Sequence, residues 1–155
     1  PFLGGPKADL GLSMKNGILA AFQQANLEGG VQGHQLKLLS YDDEYEPNSA
    51  ANNTKYLIEE NQVFAMIGTV GTPASEAAAS VAVELGVPFL APASGSMRLR
   101  EPFQKNIINI RGSYVDEVAA LVSYLHENAV RKVSVLVSDD SEFSNSSDFI
   151  REIVA

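Results

Sequence analysis

The stretch Val63-Phe64-Ala65-Met66-Ile67-Gly68-Thr69-Val70-Gly71-Thr72-Pro73, running on into Ala74-Ser75-Glu76-Ala77-Ala78, decides the fold. Its first five residues are almost wholly apolar and too few for a helix, which suits a strand covered on both faces. A glycine-containing turn ends it. Pro73 then belongs at the first helical position, where its missing N–H costs nothing. Ala74, Ala77, Ala78, Val81, Ala82 and Leu85 follow at helical spacing. So many alanines on one stripe predict a helix lying close to a sheet.

The chain repeats this unit in both directions. Upstream, Leu10, Met14, Ile18, Ala21, Phe22 and Ala25 form one apolar helical stripe, stopped by Gly29-Gly30. Residues 35–41 read as a strand followed by the acidic run Asp42-Asp43-Glu44, and Pro47 opens a helix with Ala50, Ala51, Thr54, Leu57 and Ile58 inward. Downstream, residues 87–91 read as a strand broken by Pro92, residues 93–101 as a turn with at most one helical turn, and residues 107–110 as a strand. Ser113 fits the cap of a helix buried through Val118, Leu121, Val122 and Leu125. Residues 133–137 read as a last strand, and Phe149, Ile150, Ile153 and Val154 open a last helix. Strand and helix alternating in this way predict a doubly wound parallel sheet with right-handed crossovers, an α/β architecture. Such a sheet usually starts with a strand, yet residues 1–6 read as the loop after one. The expectation is a lobe truncated at both ends.

Composition narrows the function. The 155 residues suit one domain or one lobe, and 45% hydrophobic against 19% charged residues allow a buried core. A net charge of −8 argues against a nucleic-acid partner, which needs clustered cations, and against a basic membrane-binding face. No apolar run approaches the ~18–20 residues that cross a bilayer. The absence of cysteine excludes disulfides, thiolate nucleophiles and Cys-based zinc sites.

Open parallel sheets bind ligands outside the carboxyl ends of their strands, here after Tyr41, Ile67, Ala91 and Val137. Thr72 sits where an N-cap belongs, and its hydroxyl both donates and accepts. The positive end of the helix behind it favours an anion by ~0.3–2 kcal/mol. A contact to solute and a cap on its own helix fit the spacing equally. No lysine follows the glycines as a phosphate loop requires, and the Rossmann glycine pattern is missing, so no nucleotide cofactor is expected. Ala93-Ser94-Gly95-Ser96 allows close backbone approach to a ligand, or is an ordinary turn. Arg98 and Arg100 read as solvated charge rather than an anion site. Asp42, Asp43, Glu44 and Glu46 lack the calcium-loop spacing and suit a crevice wall or helix start better than a metal; Asp139, Asp140 and Glu142 read the same way. His34 and His126 have neither a nucleophile elbow nor a zinc-protease helix beside them. No catalytic site is read.

Taken together, the loops resemble the type I periplasmic solute-binding proteins of the leucine/isoleucine/valine-binding group. The resemblance runs through Asn16-Gly17, Gly29-Gly30-Val31-Gln32-Gly33, Tyr41-Asp42-Asp43 with Glu46-Pro47, and Ile67-Gly68 with Gly71-Thr72-Pro73. It continues through Gly86-Val87-Pro88, Pro92-Ala93-Ser94-Gly95, Asn109-Ile110-Arg111, and Ser113-Tyr114 with Glu117. It implies two α/β lobes closing on a small solute, with residues 1–110 the first lobe lacking its opening strand. Residues 111–155 would be the crossing segment and the start of the second lobe. In that family a hydroxyl at the Thr72 position and backbone groups at Ala93, Ser94 and Gly95 hold an amino acid, with Val70 and Gly71 beside them. Leu10 falls where an aromatic can line the site, and Phe143 where the second lobe usually offers a tyrosine. The resemblance implies an extracytoplasmic receptor, periplasmic or extracellular, for an amino acid, amide or small organic acid. Its partner would be the membrane permease of an ABC importer. The same module also serves as the ligand-sensing domain of membrane-bound signalling proteins.

Overall fold

Three short strands carry the sheet: β1 (Met66–Ile67), β2 (Phe89–Leu90) and β3 (Ile107–Ile108). They are parallel and ordered β1-β2-β3, with Met66 opposite Phe89 and Phe89 opposite Ile107. The computed structural model describes residues 8–134. Around the sheet lie α1 (Ala8–Leu27), α2 (Pro47–Glu59), α3 (Thr72–Glu84) and α4 (Tyr114–Glu127), with one 3-10 turn at Met97–Leu99. The helices fall where periodicity puts them, and the fold is the expected doubly wound α/β lobe, represented in part.

The core explains the alanine stripe. Ala78, Ala79 and Ala82 of α3 are buried with Leu57, Met66, Phe89, Leu99 and Ile107 in one cluster. Small side chains let the α3 backbone approach both α2 and the strands, and Phe89, with no exposed surface, fills the space beneath. Pro92 and the buried Ser94 follow β2 directly, so the turn after that strand is fixed from below by packing.

Three expectations need correction. Residues 35–41 are not a strand of this sheet. Among the described residues, none makes a backbone–backbone hydrogen bond with residues 37–41. Its ends are held by the Asn26 amide bracketing Leu36 (2.7 and 2.8 Å) and by Asn53 Nδ2 on the Asp42 carbonyl (2.7 Å), and Leu39 between them packs against the core. Its residues favour an extended chain, but a strand also needs a neighbour, and an apolar groove separates it from β1. Second, α4 forms but buries no residue, and Leu121 is exposed, because no described element packs extensively against it. Third, the inward stripe of α1 is only half-covered at Met14, Ile18 and Phe22 and open at Leu10 and Ala21. Residues 133–134 belong to no element. The remainder of that expected strand, the last helix, Asp139, Asp140, Glu142 and Phe143 lie outside the described residues.

Candidate functional site

Two turns meet at the carboxyl edge of the sheet. The chain leaving β1 bridges to the chain leaving β2 in parallel at Val70 and Ala93, with the Ala93 N–H donating to the Thr69 carbonyl at 3.1 Å. This extension of the ladder brings Thr72 beside Ser94. Their hydroxyls are hydrogen-bonded at 2.8 Å.

That contact settles the role of Thr72 in its own helix. Gly71, at φ 92°, is the N-cap of α3; Thr72 is already inside the helix, and no side chain caps the start. The expected N-cap at Thr72 is therefore displaced by one residue. Glycine occupies the positive-φ position cheaply, which turns the Thr72 hydroxyl outward across the sheet edge. Ser75, also fully buried, shares a 2.7 Å hydrogen bond with the Thr69 hydroxyl and braces the loop from beneath.

The 93–96 turn is equally braced. Ser94 Oγ accepts from the Ser96 N–H at 3.1 Å, and Ser96 Oγ donates to Glu76 Oε1 of α3 at 2.5 Å. Arg100 is spent on carbonyls, donating to Ser96 (2.8 Å), Arg111 (2.9 Å) and Gly112 (3.1 Å). It ties the turn to the segment entering α4 and has little left for an anion. Arg98 lies exposed, 3.6 Å from Glu76. Within the turn, the Gly95 N–H makes no backbone hydrogen bond among the described residues, while the Ala93 carbonyl faces the Gly71 N–H across the bridge. A backbone donor, and a carbonyl with a second lone pair, thus lie beside two hydroxyls.

Two tyrosines complete the wall, and sequence reading did not select either as a site residue. Tyr114, the first residue of α4, lies over Gly95, where a Cβ would come within 2.5 Å of its ring. Its N–H donates to the Gly95 carbonyl at 2.8 Å, and its hydroxyl lies 3.4 Å from Thr72 Oγ1. Burial pushes the Tyr114 phenol upward, but hydrogen bonds with Thr72, Gly95 and Ser94 and the charge of Arg111 outweigh it, so it sits below its ordinary value. Arg111 stacks 5.3 Å from the Tyr114 ring centroid and pairs with Glu117, which raises the guanidinium further. Tyr45 lies against Gly71, where a Cβ would meet the ring at 2.5 Å. These contacts span dozens of residues; a glycine with no local turn requirement, such as Gly95, is the only sequence signal for an aromatic resting on it.

The structure thus brings together Gly71, Thr72, Ala93, Ser94 and Gly95. Val70 is present through its backbone, its side chain being 8% exposed. Leu10 stands on the first turns of α1, 64% exposed, one turn before Met14, which packs on Gly68. Among the described residues no group of three metal-ligating side chains converges, and no helix is long and apolar enough to cross a membrane.

Loops converging beyond the carboxyl ends of parallel strands define the doubly wound α/β class, whose members hold ligands at that edge. The chain belongs to the periplasmic binding protein family, whose model matches residues 2–152. It is 21% identical over 141 residues to the Leu/Ile/Val-binding protein of Escherichia coli K12, a match covering 91% of this chain and 38% of that one. The crystal structure of a possible leucine/isoleucine/valine-binding protein from Rhodopirellula baltica shares 39% identity at a TM-score of 0.76, over 83% of this chain and 34% of that one. An extracellular ligand-binding receptor from Verminephrobacter eiseniae superposes at a TM-score of 0.87 with 23% identity, over 98% and 43%. The chain therefore spans about two fifths of the length of the relatives it matches.

Proposed function

We propose that this chain carries half of a solute site in an extracytoplasmic receptor for an ABC importer, and that the solute is an amino acid or a related amide or acid. The observation that carries this reading is the 2.8 Å contact between the Thr72 and Ser94 hydroxyls, which turns Thr72 toward a neighbouring loop instead of its own helix. A zwitterion needs donors for its carboxylate and acceptors for its ammonium. The Gly95 N–H and the start of α3 supply donors, the Ala93 carbonyl supplies an acceptor, and the two hydroxyls adapt to either. Residues 111 onward lead to a second lobe, whose closure excludes water and supplies the remaining contacts. The permease of the importer is the partner, and no step of the function asks for a catalytic group.

Thermal-shift screening against amino acids, their amides and small aromatic acids tests this. A solute at a hundred times its dissociation constant stabilises by about 2.7 kcal/mol. A branched-chain amino acid is expected to raise the melting temperature of the wild type and not that of Thr72→Val. No stabilising solute in the library, or an equal shift in the variant, overturns the assignment.

A further inference from the structure

Three hydroxyls meet at the sheet edge: Thr72 of α3, Ser94 of the turn after β2, and Tyr114 at the start of α4. Where their protons point follows from burial. Ser94 has no exposed surface, and its Oγ already accepts from the Ser96 N–H at 3.1 Å. A buried hydroxyl also needs an acceptor for its own proton, and Thr72 Oγ1 lies 2.8 Å away. Ser94 therefore donates and Thr72 accepts, which leaves the Thr72 proton to turn away from Ser94. On that side stands Tyr114, its hydroxyl 3.4 Å from Thr72 Oγ1. This is longer than the ~2.5–3.0 Å of a well-formed O–H···O bond, so the two hydroxyls do not satisfy each other. Two donors at such a spacing converge on one further oxygen placed ~2.7–2.8 Å from both.

The Tyr114 hydroxyl is not needed to hold its helix. The start of α4 is fixed by the Tyr114 N–H on the Gly95 carbonyl (2.8 Å), by the reciprocal bonds of Ser113 with Asp116, and by Arg100 on the Arg111 and Gly112 carbonyls. The ring is fixed as well: it rests on Gly95, with the Arg111 guanidinium 5.3 Å from its centroid. A half-buried phenol is thus delivered beside Thr72 on a rigid support. We propose that Tyr114 contacts the solute, its phenol and the Thr72 hydroxyl donating together to one oxygen of a solute carboxylate. This rests on the solute reading above and adds to it a residue that sets solute class. A phenol is a stronger donor than an aliphatic hydroxyl, and a hydrogen bond to a charged acceptor is about twice as strong as one between neutral groups. Tyr114 therefore selects acids over their neutral amides. The electrostatics agree: burial raises the phenol, but its hydrogen-bonding neighbours and Arg111 lower it further, toward a better proton donor.

The test titrates L-leucine at neutral pH into the full chain, wild type and Tyr114→Phe, isotopically labelled for NMR at the backbone amides and at tyrosine Cζ. The variant keeps the ring and the N–H that fasten Gly95, and its Gly95 and Asp116 amide resonances check that it does. Its dissociation constant for leucine is expected to rise about ten- to a hundredfold, the worth of a hydrogen bond to a charged group. A rise of less than about twofold overturns the proposal. In the wild type, the Tyr114 Cζ resonance, identified by its loss in the variant, is expected to move together with the Gly95 amide, which a merely structural phenol would not do. A Cζ resonance that stays still while the Gly95 amide moves overturns the role of Tyr114 and leaves the solute reading standing; this arm decides even where the variant fails to fold. L-leucinamide is expected to bind the wild type about tenfold more weakly than leucine, and equal binding overturns the selection of acids. A wild type in which no resonance responds to leucine overturns the solute reading and the role of Tyr114 with it.

Discussion

Thr72 has two possible partners for its hydroxyl, the amides of its own helix and the groups across the sheet edge, and the position of one glycine decides between them. Because Gly71 takes the cap position at φ 92°, the hydroxyl is released to Ser94 and Tyr114. Replacing Gly71 by alanine imposes a positive φ on a residue with a Cβ and drives that Cβ into Tyr45, so a loss of about 1–3 kcal/mol is expected in chemical denaturation. Tyr114 reports on the same network. Its phenol is held below the ordinary value, so the network favours the ionised phenolate of the folded state. The stabilisation is complete above the unfolded value and is lost as pH falls through the folded one. Ultraviolet titration of Thr72→Val is expected to show the Tyr114 transition displaced upward, because a favourable partner is gone; an unmoved transition would separate the two hydroxyls.

At the scale of elements, α4 shows what local sequence encodes without help from packing. Ser113 and Asp116 form a reciprocal capping box: Ser113 Oγ accepts from the Asp116 N–H at 3.0 Å and the Asp116 carboxylate accepts from the Ser113 N–H at 2.9 Å. These bonds hold the Asp116 carboxyl below its ordinary range, so their contribution is present at neutral pH and fades as pH falls through the folded value. Ser113→Ala is expected to cost about 1 kcal/mol in equilibrium denaturation. The cap and the helix were legible because both depend on neighbours within four residues. Burial of Leu121 was not, because it depends on what lies opposite. The same distinction separates α3 from residues 35–41. The alanine stripe of α3 predicts a close-packed helix, and Ala82 has no exposed surface. Ala82→Leu forces extra volume into that contact, with an expected loss of about 1–3 kcal/mol. Residues 35–41 carry an equally clear extended pattern, yet pairing is a property of two segments, and none of the described residues forms a ladder with residues 37–41.

For the whole molecule, the class of fold was readable from strand–helix alternation, and topology then points to the carboxyl edge as the place of the proposed site. The partners of the site were not: Tyr114 reaches Thr72 across 42 residues, and no periodicity announces such a meeting. Affinity belongs to this scale as well. With one lobe contributing, half of the solute's contacts are missing, so calorimetry is expected to show weaker binding to this chain than to a receptor with both lobes. The central claim is that solute sits where the chains leaving β1 and β2 converge. Its most direct test is the map of backbone amide shifts as a branched-chain amino acid is titrated into the labelled protein. Perturbations centred on Thr72, Gly95 and Tyr114 are predicted; perturbations confined to residues 36–41 and the walls of the apolar groove would contradict it.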